Sequence, residues 1–184
     1  LMSIFQQQVQ KLKKYLNNTE SKTMNSFYSG VNKLSLWGAY LASLLLVSLV
    51  CLVLTEIFIR HFFDMSTMIA DEYSGYIYLA SIFLGLAYTF NEKAHIRINI
   101  VTSRLSKKSN NIIDVFAGII TIVVLSFALY RTILYTYDSY EMEMLSEAVS
   151  ETPLYLTQLV MPLGLSMFIL SVMVFVLKGL KNDN

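Results

Sequence analysis

The chain has 184 residues, of which 55% are hydrophobic and 15% are charged, and its formal net charge is +1. Soluble domains have about 45–50% apolar residues and lack long uncharged runs. The composition therefore excludes an ordinary soluble domain, and we expect no nucleic-acid partner.

Four long runs of the sequence carry no charged residue, at 34–55, 73–90, 115–130 and 153–177. Each run approaches or exceeds the ~20 helical residues that cross about 30 Å of hydrocarbon. The sequence predicts an all-α membrane protein with four transmembrane helices at about 34–59, 69–90, 112–136 and 153–177. These helices form one domain over residues 24–184.

Basic residues alternate along the chain. They are frequent before the first run and between the second and third runs, whereas the first loop has only Arg60 and the third loop has none. Positive residues stay on the cytoplasmic side of a membrane. We therefore predict a multi-pass membrane protein with both termini in the cytoplasm.

Residues 1–23 are predicted to form an amphipathic helix followed by a polar linker. Apolar residues recur at helical spacing, and three lysines occupy other faces of the helix. A basic helix of this kind lies in the membrane interface beside anionic lipids, although a solvated, frayed tail is the alternative. The residues expected to contact phospholipids at the interface are Lys11, Lys13, Lys14, Trp37 and Arg97.

Glu56 in the first span and Arg131 in the third span are predicted to lie within the membrane, near its outer surface. Glu56 is four residues before Arg60, so the two can pair on one helical face. Counted along their spans, Glu56 and Arg131 lie at similar depths, which makes them candidates for an intramembrane charge pair. The equally weighted alternative is that Arg131 reaches the lipid headgroups by itself.

The sequence does not favour catalysis or a cofactor. The two histidines, His61 and His95, are predicted on opposite membrane faces, and the centres of the spans lack Asp, Glu, Lys, Arg and His. We therefore expect no enzyme activity, no catalytic residues, no metal site and no cofactor. The single cysteine, Cys51, is expected to be a small buried hydrophobic residue. Pro162 is expected to kink the fourth span.

The predicted outer loops are acidic, because they contain one basic residue and eight acidic residues. Such a surface can steer a soluble partner that carries basic residues. The alternative is that the positive-inside bias leaves acidic residues outside without any partner, and composition alone favours that alternative.

The stretch EIFIRHFFDMSTMIADEYSGYIYLASIFLGLAYTFNEKAHIRINI carries a resemblance to a known family. Arg60 ends the first span, Glu72 opens the second, and His95 precedes Ile96 at the inner exit. Arg131 and the sequence MPLGLSMF add to the pattern. In order and spacing, the chain resembles the small, DctQ-type membrane subunit of tripartite ATP-independent periplasmic (TRAP) transporters.

The resemblance implies a location in a bacterial inner membrane and a scaffold role in sodium-coupled uptake of an organic acid, such as a C4-dicarboxylate or sialic acid. A periplasmic binding protein captures the acid, and a large membrane subunit moves it while the small subunit braces that subunit. The residues hypothesised to help dock the binding protein are Arg60, Asp64, Asp71, Glu72, Glu141, Glu143, Glu147 and Glu151. An autonomous four-helix antiporter and a lipid-binding structural membrane protein remain alternatives.

Overall fold

The computed structural model describes residues 2–92 and 107–182, and the side chains of residues 25–92 and 109–180. This part of the chain is almost entirely helical, which confirms the all-α prediction. An isolated bridge joins Leu145 and Pro153. The helices are α1 (Met2–Phe63), α2 (Ala70–Asn91), α3 (Lys107–Glu141), α4 (Leu154–Gln158) and α5 (Val160–Asn182).

Three helical stretches of the described chain are long and apolar enough to cross a membrane, namely Asn25–Phe63, Ser109–Glu141 and Leu154–Leu180. The chain is therefore a multi-pass membrane protein. The second predicted span, α2, does not belong to this group, because tyrosines at 73, 76, 78 and 88 make it less apolar. Its passage through the membrane stays a prediction.

The N-terminal segment continues into the first span. α1 is helical from Met2 through the residues that the sequence predicts as a linker. The interfacial position of residues 1–23 stays a prediction, and the side chains of Lys11, Lys13 and Lys14 lie outside the described set. Arg97 lies outside the described residues altogether.

α2 is the central helix of the packing. It contacts α1 on one side and α5 on the other, and α5 in turn contacts α3. Gly38 of α1 and Gly164 of α5 permit this close packing. A Cβ atom on Gly38 would lie 2.7 Å from the carbonyl oxygen of Leu84, and one on Gly164 would collide with the backbone of Phe83. The two glycines thus meet consecutive residues of α2.

An apolar core fills the inner half of the molecule, between α2, α3 and α5. Val115, Val172 and Val176 are buried there. The ring of Phe90 packs edge-on against Phe168 and Phe175, with centroid distances of 5.5 and 5.6 Å. Aromatic pairs prefer such edge-to-face geometry, so this cluster joins the end of α2 to α5.

The fourth predicted span contains a break at Leu159, between α4 and α5. Pro162 explains it, because proline lacks the N–H that would bond the carbonyl of Gln158 in a continuous helix. The amide of Leu159 still bonds the carbonyl of Tyr155, at 3.0 Å. The interruption therefore falls one turn before the proline, where a proline kink is expected.

α1 and α3 expose most of their apolar surface. Only 11% of the most apolar stretch of each is buried, compared with 39% in the stretch that contains α5. Trp37 of α1 is 69% exposed and Phe127 of α3 is 67% exposed. Cys51 is also exposed, so the prediction that it is buried is wrong. It faces outward because the helices packed against α1 cover a different stripe of that helix.

Candidate functional site

The first outer loop, residues 64–69, is tied to the end of α1 by Glu56. This residue is only 6% exposed. Its carboxylate accepts hydrogen bonds from Arg60 Nε at 2.7 Å, from Ser66 Oγ at 2.8 Å and from the amide and hydroxyl of Thr67. A buried carboxylate is tolerated when its oxygens are satisfied in this way. Glu56 therefore has a structural role in holding the loop.

Arg60 extends this network to the start of α2. Its Nη2 lies 3.1 Å from Asp71 Oδ2, and the predicted bond to Glu56 on the same helix is confirmed. The side chain of Asp71 is 78% exposed. Exposed ion pairs contribute little to stability, so the buried Glu56 end of the network is the stronger one.

The second outer loop, residues 142–153, is tied to the start of α2 by Glu72. One carboxylate oxygen accepts a bond from the Tyr76 hydroxyl at 2.7 Å, and the other accepts one from the Ser150 hydroxyl. Thr152 bonds both Ser150 and Tyr73, at 2.8 and 3.1 Å. Asp71 thus connects the start of α2 to the end of α1, and Glu72 connects it to the second outer loop.

The second outer loop is also internally ordered. The amide of Ser146 bonds the carbonyl of Thr152 at 2.9 Å, and the amide of Leu154 bonds the carbonyl of Met144 at 3.0 Å. Glu143 and Glu151 have φ values of 50° and 46°, a left-handed conformation that is uncommon for residues other than glycine. Both ends of the loop therefore turn sharply, and its base is closed.

The structure does not form the predicted pair between Glu56 and Arg131. Glu56 is bonded to Arg60 and the first outer loop, whereas Arg131 is exposed on α3. In the described part of the chain, both ion pairs involve Arg60. Similar depth is not enough for contact, because α1 and α3 pack on α2 and α5 and not along each other.

The residues hypothesised to dock a binding protein all lie at the outer end of the molecule. Arg60, Asp71 and Glu72 take part in the two networks described above. The others are exposed, namely Asp64, Glu141, Glu143, Glu147 and Glu151. Exposed apolar residues lie among them, including Met142 at 68% and Val149 at 75% exposure. The structure therefore places the predicted residues at one end of the molecule.

Sequence reasoning did not identify the hydroxyl residues that bond these carboxylates. Ser66 and Thr67 donate to Glu56 and Ser150 donates to Glu72, while Thr152 bonds Ser150 and Tyr73. The preference of Ser and Thr for loops, where their hydroxyls bond nearby groups, was the available signal. It does not reveal a partner 78 residues away, as in the bond between Ser150 and Glu72.

The carboxylates at the outer end have a structural role. Glu56 and Glu72 accept bonds that fix the two outer loops. Among the described side chains, those of residues 25–92 and 109–180, no three His, Cys, Asp or Glu lie close enough to share a metal ion.

Comparison with known proteins agrees with the arrangement of apolar helices. A sequence profile described as "Tripartite ATP-independent periplasmic transporters, DctQ component" matches residues 49–182. The chain is also 26% identical over 121 residues to a protein of Haemophilus influenzae named "Putative TRAP transporter small permease protein". That alignment covers 66% of this chain and 73% of the relative.

Proposed function

Because the chain belongs to the DctQ family of TRAP transporter components, we propose that it is the scaffold subunit of a sodium-coupled transporter for an organic acid. The family consists of transport components and is not an enzyme family. The substrate class proposed is a carboxylate, such as a C4-dicarboxylate or sialic acid. The specificity for it resides in other subunits.

The observation that carries this proposal is the exposure of apolar surface on two helices at once. α1 and α3 each expose a continuous apolar face, while α2 and α5 form the interior. Lipid can cover such faces, and so can another membrane protein. An arrangement with two open apolar faces suits a subunit that lies between a larger transport subunit and the bilayer.

The proposed role follows from the physics of a moving carrier. A domain that slides across the membrane needs a frame that does not move with it. α1 and α5 pack closely on α2 through Gly38 and Gly164. This close packing makes the chain a compact body that can widen such a frame. The chain itself needs no solute site, because the large subunit binds the solute and the sodium.

Purification of the membrane complex tests the scaffold role. We expect the chain to co-purify with a membrane subunit about three times its size, and we expect uptake in proteoliposomes to require both proteins and the binding protein. Uptake by this chain alone would contradict the proposal and favour the autonomous antiporter.

Docking of the periplasmic binding protein is the second part of the proposal. The exposed carboxylates of the second outer loop give that face a negative potential, which favours approach of a basic surface. Fixation of the loop by Glu72 supports this role, because a preformed surface binds at a lower entropic cost.

Charge reversal tests the docking proposal. We expect replacement of Glu143, Glu147 and Glu151 by lysine to raise the binding-protein concentration needed for half-maximal uptake by several-fold, and to leave the amount of assembled membrane complex unchanged. Replacement of Glu20, Glu92 and Asp183 by lysine, all predicted at the inner side, is the control with the same change in charge. Equal uptake by the two variants would refute docking at this loop.

A further inference from the structure

A cavity of about 1020 Å³ lies at the end of the molecule opposite the outer loops. All four long helices line it, through residues that include Tyr28 of α1, Asn91 of α2, Asn111 of α3 and Lys178 of α5. Its volume is at the upper end of the range for pockets that bind small molecules, about 300–1,000 Å³. In the predicted topology this end faces the cytoplasm.

The lining of the cavity is partly apolar and partly polar. Phe90, Ala117 and Phe175 form a partly exposed apolar wall, whereas Asn32, Asp114 and Lys178 add polar and charged groups. A purely apolar ligand would remove the polar groups from water, and a small polar solute would leave the wall in contact with water. An amphiphile satisfies both sides.

Several polar groups of the lining already have hydrogen-bond partners within the protein. The Asn91 side-chain amide donates to Ser35 Oγ at 3.1 Å and to Ser171 Oγ at 3.4 Å. The Asn111 amide donates to the carbonyl of Gly179 at 2.8 Å. These bonds join the helices around the cavity, so they shape its floor without depending on a ligand.

Lys178 supplies a positive charge at the rim. It is exposed, and its ammonium lies 4.9 Å from the centroid of the Tyr28 ring. In the part of the chain that the structure describes, it forms no ion pair, because both ion pairs there belong to Arg60. Lys178 directly follows the uncharged run 153–177. A lysine at that position lies level with the phosphates of the headgroup layer.

We infer that this cavity binds a membrane glycerophospholipid, with its phosphate at Lys178 and an acyl chain against Phe90, Ala117 and Phe175. α1 and α3 do not pack along each other. The open side between them gives an acyl chain of the lipid a route from the bilayer into the cavity. The inference concerns a ligand of this subunit itself, so it does not depend on the proposed scaffold function.

Native mass spectrometry of the full chain, purified in mild detergent and freed of loose lipid by gel filtration, tests the inference. We expect the wild type to retain a phospholipid. Lys178→Gln should lower the retained fraction about fivefold, the effect of one basic residue near a lipid surface, and Lys178→Arg should restore it. Lys181→Gln, three residues along the same helix, is the charge-matched control.

Filling the cavity gives an independent readout that does not alter charge. Ala117 of α3 lines the cavity and Ala128 of the same helix does not. We expect Ala117→Phe to displace the lipid and Ala128→Phe to leave it bound. Equal retention by wild type, Lys178→Gln and Ala117→Phe would overturn the inference. Displacement of the lipid by inorganic phosphate would also overturn it, because it would identify a site for a free anion.

Discussion

Individual side chains at the outer end act mainly on the loops next to them. Glu56 holds the first outer loop through Ser66 and Thr67, and Glu72 holds the second through Ser150. Both carboxylates belong to helices, whereas most of their donors belong to loops. Each carboxylate is therefore held in place by its helix. The short hydroxyl side chains that donate to it determine the conformation of the loop.

The structure predicts which pairs of charged residues affect the stability of the fold non-additively. Glu56 is bonded to Arg60 at 2.7 Å and has no contact with Arg131. In double-mutant cycles with Glu56→Gln, we expect Arg60→Gln to give a non-additive shift in the thermal unfolding temperature. Arg131→Gln should give an additive one, as residues without shared partners do. Strong coupling between Glu56 and Arg131 would contradict the packing described here.

The helices owe their arrangement to a few close backbone approaches. α2 is enclosed by α1 and α5 because Gly38 and Gly164 carry no Cβ atom where they meet Leu84 and Phe83. In membranes, where lipid is as apolar as the side chains, such close packing is a principal source of helix association.

Gly164→Ala tests this packing at the level of one helix pair. The added methyl collides with the backbone of Phe83, which cannot move as a flexible side chain can. We expect a loss of stability of ~1–3 kcal/mol, typical of overpacking, measured as unfolding in detergent. Gly75→Ala is the matched control, since nothing lies within 4 Å of its added Cβ. It should be neutral or slightly stabilising, because alanine favours a helix. Similar losses of stability in both variants would contradict a specific role of Gly164 in packing against Phe83.

The molecule as a whole presents apolar faces on α1 and α3, charged loops at one end and an amphipathic cavity at the other. Each region suits a different environment, namely an apolar one, water, and the headgroup layer of a membrane. The alternation of basic residues along the sequence predicts that the end with the cavity faces the cytoplasm.

Labelling of single cysteines tests both the orientation and the passage of α2 through the membrane. In a Cys51→Ser background, we expect Met65→Cys and Val149→Cys to react with a membrane-impermeant maleimide in intact spheroplasts. These positions are 65% and 75% exposed in the outer loops. Glu92→Cys, at the other end of α2, should react only after permeabilisation. Reaction of residues 65 and 92 from the same side would show that α2 does not cross.

The amino-acid sequence by itself determined the features that arise within one helix or one apolar run. The helical class, the Glu56–Arg60 pair four residues apart and the helix break before Pro162 follow from local geometry, since helical periodicity and the missing proline N–H act over one turn. Only the tertiary structure decided which faces meet. It exposes Cys51, separates Arg131 from Glu56 and bonds Ser150 to Glu72. In a membrane protein, apolar side chains face lipid and partner helices alike, so hydrophobicity does not distinguish the two. The positions of small residues on different helices decide it, and those positions come together only in the folded chain.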